Sequence, residues 1–189
     1  VLAGELPENN VWLDNIQGQC AQLWRLVNDL VTLSRLDEET PQTERMVLSL
    51  SDAVWDALGA FLPVGQARGL RFEQEIDENV CCIGDAALIG RLVSVLLDNA
   101  VKYADAGGTV TVRLHRRGRR CVLEVENPCA WLAPEETGRL FDRFYRGSGA
   151  PAGGSGVGLS IVRAAAEAHG GTARTDCPAP GVLRVTVSI

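Results

Sequence analysis

The sequence lacks any apolar run near the roughly 20 residues that a membrane-spanning helix needs. No secretory signal pattern opens it. It lacks a basic surplus: 18 Lys and Arg face 24 Asp and Glu, for a formal net charge of −6. A general nucleic-acid binder carries the opposite balance, which argues against duplex binding. There are only two histidines, His115 and His169, and the six cysteines (Cys20, Cys81, Cys82, Cys121, Cys129, Cys177) show no CxxC spacing. A Cys/His zinc site therefore has little support, and reduced thiols of a cytosolic domain are the expectation. No Gly-Lys-Ser/Thr follows a glycine-rich loop, which excludes a Walker loop. No strand-like segment leads directly into one either, which excludes the dinucleotide fingerprint.

What is present is a chain of 189 residues, 46% hydrophobic, enough for one domain with its own core plus an appendage. Residues 8 to about 38 read as one long helix. Leu13, Ile16, Cys20, Leu23, Val27 and Leu30 are spaced 3, 4, 3, 4, 3, the seam of a heptad repeat. Trp12, Leu26 and Leu33 widen the stripe toward that of a helical bundle. The polar run Asp37-Glu38-Glu39-Thr40-Pro41 ends it as a linker.

From about residue 44 the pattern becomes mixed. Met46 to Leu50 predicts a short strand, and Ser51 a cap for a helix to about Val64. Leu70, Phe72, Gln74 and Ile76 alternate as a strand, and Val80 to Ile83 form another. Asp85 can cap a helix from Ala86 to Tyr103. Strands at 109–115 and 119–126 meet at Gly118; Arg116, Arg117, Arg119 and Arg120 beside it read first as a solvated turn and second as a docking patch. Short helical pieces at 134–146, a helix from about Val157 to His169, and strands at 172–176 and 182–188 follow. Strands interleaved with helices predict a helical layer on a mixed sheet.

Three segments carry chemistry. Gly153-Gly154-Ser155-Gly156-Val157-Gly158-Leu159 leads into a helix, where close backbone approach and unpaired N–H groups suit an anion. A flexible surface loop is the plainer alternative. In the second, Asn99, Lys102 and Tyr103 share one helical face: a neutral oxygen for Mg²⁺, a point charge for phosphate and an aromatic wall. Asp98 and Lys102 forming an exposed pair is the alternative there. In the third, Phe141, Arg143, Phe144 and Arg146 precede a small-residue stretch at 147–155, where aromatics can anchor a loop and arginines reach phosphates. An ordinary helix with core-facing Phe141 and Phe144 is compatible with this.

Taken in chain order, the three segments resemble the N box (Leu96 to Tyr103), F box (Leu140 to Arg146) and second Gly box (Gly154 to Leu159) of the sensor histidine kinases, within the GHKL ATPases. Leu26-Val27-Asn28-Asp29-Leu30 with Leu33-Ser34-Arg35-Leu36 resembles the end of the second helix of their dimerisation region. The resemblance implies an α/β two-layer sandwich with a Bergerat-type ATP site at 44–189, preceded by a partial dimerisation region at 1–40. It implies ATP and Mg²⁺ as ligands, with Asn99 on the metal and Asp98 in the acidic position beside the attacking histidine. Lys102, Arg143 and Arg146 would meet phosphates, and Tyr103 and Phe141 would belong to the nucleotide site. Gly154, Ser155, Gly156, Val157, Gly158 and Leu159 would form the phosphate loop, under a lid between Phe141 and Gly154. It also implies a phosphoacceptor helix and a response regulator as partners, a homodimer through the 8–38 helix, and a cytoplasmic position in a membrane-anchored parent.

The sequence departs from the family pattern at three places. Val95 stands one turn before Asn99, where a second asparagine is usual. Asn127 stands where an aspartate would accept the adenine amine, and Cys129 and Trp131 replace glycines. An aspartate at 127 is expected to hold or improve affinity, because charge strengthens the hydrogen bond. Trp131 either flanks the adenine, crowds it or packs on the sheet. Neither His115 nor His169 lies in an acceptor motif, so that block would precede residue 1. The expected function is phosphoryl transfer from ATP to a histidine outside the fragment. The alternatives are a degenerate nucleotide-binding module and a GHKL ATPase that drives a conformational cycle.

Overall fold

The computed structural model describes residues 8–36, 45–151 and 154–189. The linker expected at 37–41, the last two positions of the expected first helix and Gly153 lie outside them.

Helix α1 spans Glu8–Leu36. Strand β1, Met46–Ser49, runs into helix α2, Leu50–Ala67. Ser49, not Ser51, is the cap: its hydroxyl accepts from the Asp52 N–H at 3.1 Å. The Leu50 N–H is tied to Val80 O, and the helix starts two residues earlier than expected. The hydroxyl of Ser51 is spent elsewhere, donating to Asp77 O and accepting from the Val80 N–H.

Strands β2 (Arg71–Ile76) and β3 (Cys81–Gly84) lead to helix α3, Ala86–Tyr103. Asp85 caps α3 as expected, accepting from the Leu88 N–H at 3.0 Å. Strands β4 (Thr109–Arg117) and β5 (Arg120–Pro128) form a hairpin through Gly118 at φ 64°. A single 3₁₀ segment, Pro134–Arg139, takes the place of the helical pieces expected to 146. Helix α4 spans Gly158–Ala168, and strands β6 (Thr172–Ala179) and β7 (Val182–Ser188) close the fold.

The main sheet has the order β2-β4-β5-β7-β6; β2 pairs parallel with β4 and every other pair is antiparallel. Strands β1 and β3 form a small separate sheet. Val110, Val112, Leu114, Leu123, Val125, Val185 and Val187 pack beneath α2, α3 and α4 in one core. Helix α3 contributes eight buried residues, from Ile89 to Val101. Each of the larger ones contributes about 1.5–3 kcal/mol by leaving water. The opposite sheet face is polar: Arg113 and Arg184 both pair with Glu126, at 2.9 and 2.6 Å. This is the α/β two-layer sandwich with a mixed sheet.

Helix α1 leans on the sandwich at few points. Leu33 is buried against Val157 and Ile161 of α4, and Asp29 pairs with Arg91 of α3. The rest of its expected seam (Leu13, Ile16, Leu23, Val27, Leu30) is exposed, with Trp12 and Trp24 beside it.

Candidate functional site

A cavity of about 380 Å³ opens between α3, the start of α4 and the sheet, within the range usual for small-molecule sites. Its wall brings together Asp98, Asn99, Lys102, Tyr103, Asn127, Trp131, Arg146, Ser155, Gly156, Gly158 and Leu159. Four stretches of the chain, at 98–103, 127–131, 146 and 155–159, thus converge on one space.

Helix α3 supplies the floor. Asn99 faces the start of α4 so closely that a Cβ on Gly158 would lie 3.3 Å from Asn99 Nδ2. That nitrogen is buried and has no hydrogen-bond partner among the described residues. An orphaned buried amide costs about 1–3 kcal/mol, which a ligand can recover. Val95, one turn earlier, lines the same cavity and lies 3.1 Å from the same Gly158 position, so the wall there is apolar. Lys102 Nζ sits 5.4 Å from the Tyr103 ring centre. Burial pushes the Tyr103 phenol above its ordinary value, against the opposing influence of Arg146, so it stays protonated at neutral pH.

The loop before α4 is glycine by necessity. Gly156 has φ 70°, and a Cβ there would lie 2.6 Å from Phe144 C and 2.7 Å from Tyr145 O. A Cβ on Gly154 would collide with the Tyr103 hydroxyl. Phe144 N–H donates to Gly156 O at 2.8 Å, and Phe144 itself holds φ 64°. Its ring is 63% exposed, so it is not the core residue of the helix alternative. Phe141 is: it is buried, with the Arg163 guanidinium 5.8 Å from its ring centre. Phe141, Arg143, Gly154 and Val157 do not line the cavity. Val157 instead packs on Leu33 and Ile161, and Gly154 backs onto Tyr103.

Asn127 is buried on β5, and its amide nitrogen donates to Pro128 O at 3.2 Å. A carboxylate at 127 would meet that carbonyl oxygen with no proton to donate, which weighs against the gain in affinity expected of an aspartate there. Trp131 lines the cavity and also packs against the core; it stands 6.0 Å from Tyr103, ring centre to ring centre, at 55°. Gly147 fits only because it lacks a side chain, a Cβ there lying 2.7 Å from the indole. Cys129 is buried one residue beyond Pro128, its thiol pushed up to about 12 by burial and then by Asp105, so it is no nucleophile.

Sequence reasoning missed Glu136. Its carboxylate accepts from Tyr145 Oη at 2.9 Å, Ser148 N at 2.9 Å and Ser148 Oγ at 3.3 Å, pinning the base of the loop that rims the cavity. The hydrogen bonds from Ser148 and Tyr145 hold it below the usual carboxylate range. It also missed Arg91 and Asp29, both on the cavity wall. The two histidines are elsewhere. His169 accepts from the Asp85 N–H at 3.0 Å through Nε2, and its Nδ1 lies 2.6 Å from Ala165 O, so both ring nitrogens are engaged.

A cleft beside a glycine-built helix start, floored by an amide and rimmed by cations, suits a nucleotide-binding α/β sandwich. Residues 84–189 match the family described as histidine kinase-, DNA gyrase B-, and HSP90-like ATPase. The chain belongs to that family, as a catalytic ATP-binding domain of the sensor histidine kinase kind. It is 31% identical over 170 residues to the sensor histidine kinase RppB of Synechocystis sp., a match covering 88% of this chain and 37% of that protein. The chain thus spans about a third of the length of this curated relative. Among solved structures, the mycobacterial sensor histidine kinase MprB superposes with a TM-score of 0.70 at 29% identity, over 76% of this chain and 97% of that one. Full-length ShkA, solved in complex with AMPPNP, superposes with a TM-score of 0.80 at 18% identity, over 98% of this chain and 39% of that one; this likeness is one of fold.

Proposed function

We propose that the chain binds Mg·ATP in this cavity and delivers the γ-phosphate to a histidine nitrogen carried on another segment, leaving ADP. The observation that carries the reading is the Asn99 amide nitrogen, buried and without a hydrogen-bond partner among the described residues, at the Gly158 helix start. Asn99 Oδ1 would hold Mg²⁺, which accepts a single protein ligand when phosphate and water complete its sphere. Bound there, Mg²⁺ would neutralise triphosphate charge. Lys102 and Arg146 meet the phosphates from the rim, and the N–H groups of 156–159 offer a positive helix end. Tyr103 and Trp131 flank the base, and the Asn127 carbonyl oxygen accepts its exocyclic amine. Arg143 reaches the phosphates only by movement of the loop that bears it. Asp98, exposed on the wall, would take the proton of the attacking imidazole. Catalysis rests on alignment and charge neutralisation.

The exposed α1 stripe is the surface for a second copy and for the acceptor helix; residues 1–40 and 44–189 are then two functional parts. A response regulator would receive the phosphoryl group. No helix among the described residues is long and apolar enough to cross a membrane. A cytoplasmic place in an anchored parent is part of the proposal.

The test is calorimetry with a non-hydrolysable ATP analogue, with and without Mg²⁺. Asn99→Ala should abolish the Mg²⁺ dependence, while Asn79→Gly, at a φ of 59° that glycine accepts, should not. Equal behaviour of the two variants rejects the site. With labelled ATP, the chain alone should gain no acid-labile phosphate, and a separate fragment bearing the acceptor helix should gain it. A second reading, binding without transfer, is favoured by Val95 in the asparagine position, and would show as binding with no trans-labelling.

A further inference from the structure

Asp29 presents an electrostatic anomaly. It is a carboxylate with 7% exposure on the wall of a cavity read above as a triphosphate site. An uncompensated carboxylate there would be costly by burial and would repel a polyanion. Its compensation is Arg91 of α3, whose Nη2 pairs with Asp29 Oδ1. Arg91 lines the same cavity and keeps 37% of its side chain exposed.

Arg91, Val95 and Asn99 stand at i, i+4 and i+8 of α3, one face of the helix. Asn99 is the proposed metal ligand and Val95 contributes no polar atom. Arg91 is the next cation along the cavity side of α3, about 12 Å up the axis from Asn99. It stands between the phosphate end of the cavity and α1.

We propose that Arg91 recognises the terminal phosphate of ATP, exchanging Asp29 for it. A guanidinium binds carboxylate and phosphate through the same planar fork, so the two anions compete for one donor set. Nucleotide without a terminal phosphate leaves the Asp29–Arg91 pair intact. ATP breaks it and frees α1 at that contact, while Leu33 still holds α1 to α4. By linkage, whatever strengthens the α1 contact weakens ATP to the same degree. This rests on the nucleotide reading above and adds a γ-phosphate sensor to it.

The experiment measures the affinities of the 189-residue chain for ADP and for a non-hydrolysable ATP analogue. Arg91→Ala should weaken the analogue by roughly tenfold or more and ADP by less than about threefold, the scale of one charged hydrogen-bond pair. Asp29→Asn, nearly isosteric, should act oppositely: the analogue binds several-fold tighter and ADP is unchanged. Because only one of these variants is expected to lose affinity, misfolding cannot imitate the pair of results, and thermal unfolding checks each fold. Equal effects on ADP and the analogue in Arg91→Ala, or weaker analogue binding in Asp29→Asn, would overturn the exchange while leaving the nucleotide site standing. If the unmodified chain binds neither nucleotide, both readings fall.

Discussion

The indole nitrogen of Trp131 donates to the backbone carbonyl of Tyr103 at 3.2 Å. Tyr103 ends α3, and its carbonyl is one of the terminal acceptors that the helix leaves unpaired. A residue standing where relatives of the resembled family carry glycine therefore caps a helix and supports the loop at Gly147 and Gly149. Trp131→Phe keeps the ring and removes the bond. It should cost about 1 kcal/mol and lower nucleotide affinity several-fold. Thermal unfolding and calorimetry on the same sample separate the two effects, and unchanged values in both would refute this role.

Gly156 and Gly118 both hold positive φ, and they differ in surroundings. A Cβ at 156 meets backbone atoms at 2.6 and 2.7 Å, while nothing lies within 4 Å at 118. Gly118→Ala should cost only the conformational strain, about 1 kcal/mol, with nucleotide affinity intact. Gly156→Ala must displace the Phe144–Tyr145 backbone, and should abolish nucleotide binding while the sandwich still melts cooperatively. Matching affinities for the two variants would contradict the loop geometry.

Glu136 predicts a pH dependence. Its folded value lies below the ordinary glutamate value, so its anchoring is complete above that ordinary value and is lost as pH falls through the depressed one. Protonation removes an acceptor from Ser148 and Tyr145 and loosens the loop. Nucleotide affinity should fall across that acid window in the unmodified chain. Glu136→Gln should start weaker and show no such step. A step of equal size in both proteins would assign it to another carboxylate.

Asn127→Asp should destabilise the fold by about 1–3 kcal/mol, because a buried donor is replaced by an acceptor facing Pro128 O. Affinity for the nucleotide should drop with it. Denaturant unfolding at two pH values tests this: the deficit should shrink where the new carboxyl is protonated and can donate. A variant at least as stable as the original at neutral pH would show that the side chain turns away from Pro128.

Much of the fold was legible in the sequence because local chemistry and global packing agree there. Asp85 caps α3, and its eight buried residues follow the periodicity of the segment. Gly118 sits in the β4–β5 turn, which needs its positive φ. Where two local choices were chemically equal, the sequence could not decide. Ser49 and Ser51 are both good caps, and the selection came from Leu50 N–H bonding Val80 O across the chain. Phe141 and Phe144 have the same preference for burial, but the φ of 64° at Phe144 turns its ring outward. In the site, the segments that cluster in sequence were readable. Glu136, twelve residues from Ser148, and Asp29, sixty-two from Arg91, act through pairings that no local pattern announces.

The central seam of the sheet, where β5 lies along β7 from Val122↔Ser188 to Pro128↔Val182, has a kinetic consequence. The two hairpins that it joins are local: β4 with β5, and β6 with β7. Each can close on the timescale of a short turn. Their union must wait until the whole intervening stretch, with the loop and α4, has been gathered in, at an entropic cost that no contact offsets beforehand. Seam closure is thus the natural rate-limiting event of folding. Substitutions within the seam, such as Val125→Ala or Val185→Ala, should slow refolding, whereas changes at the exposed α1 positions Leu13, Ile16 and Leu23 should leave both limbs of the chevron nearly unchanged.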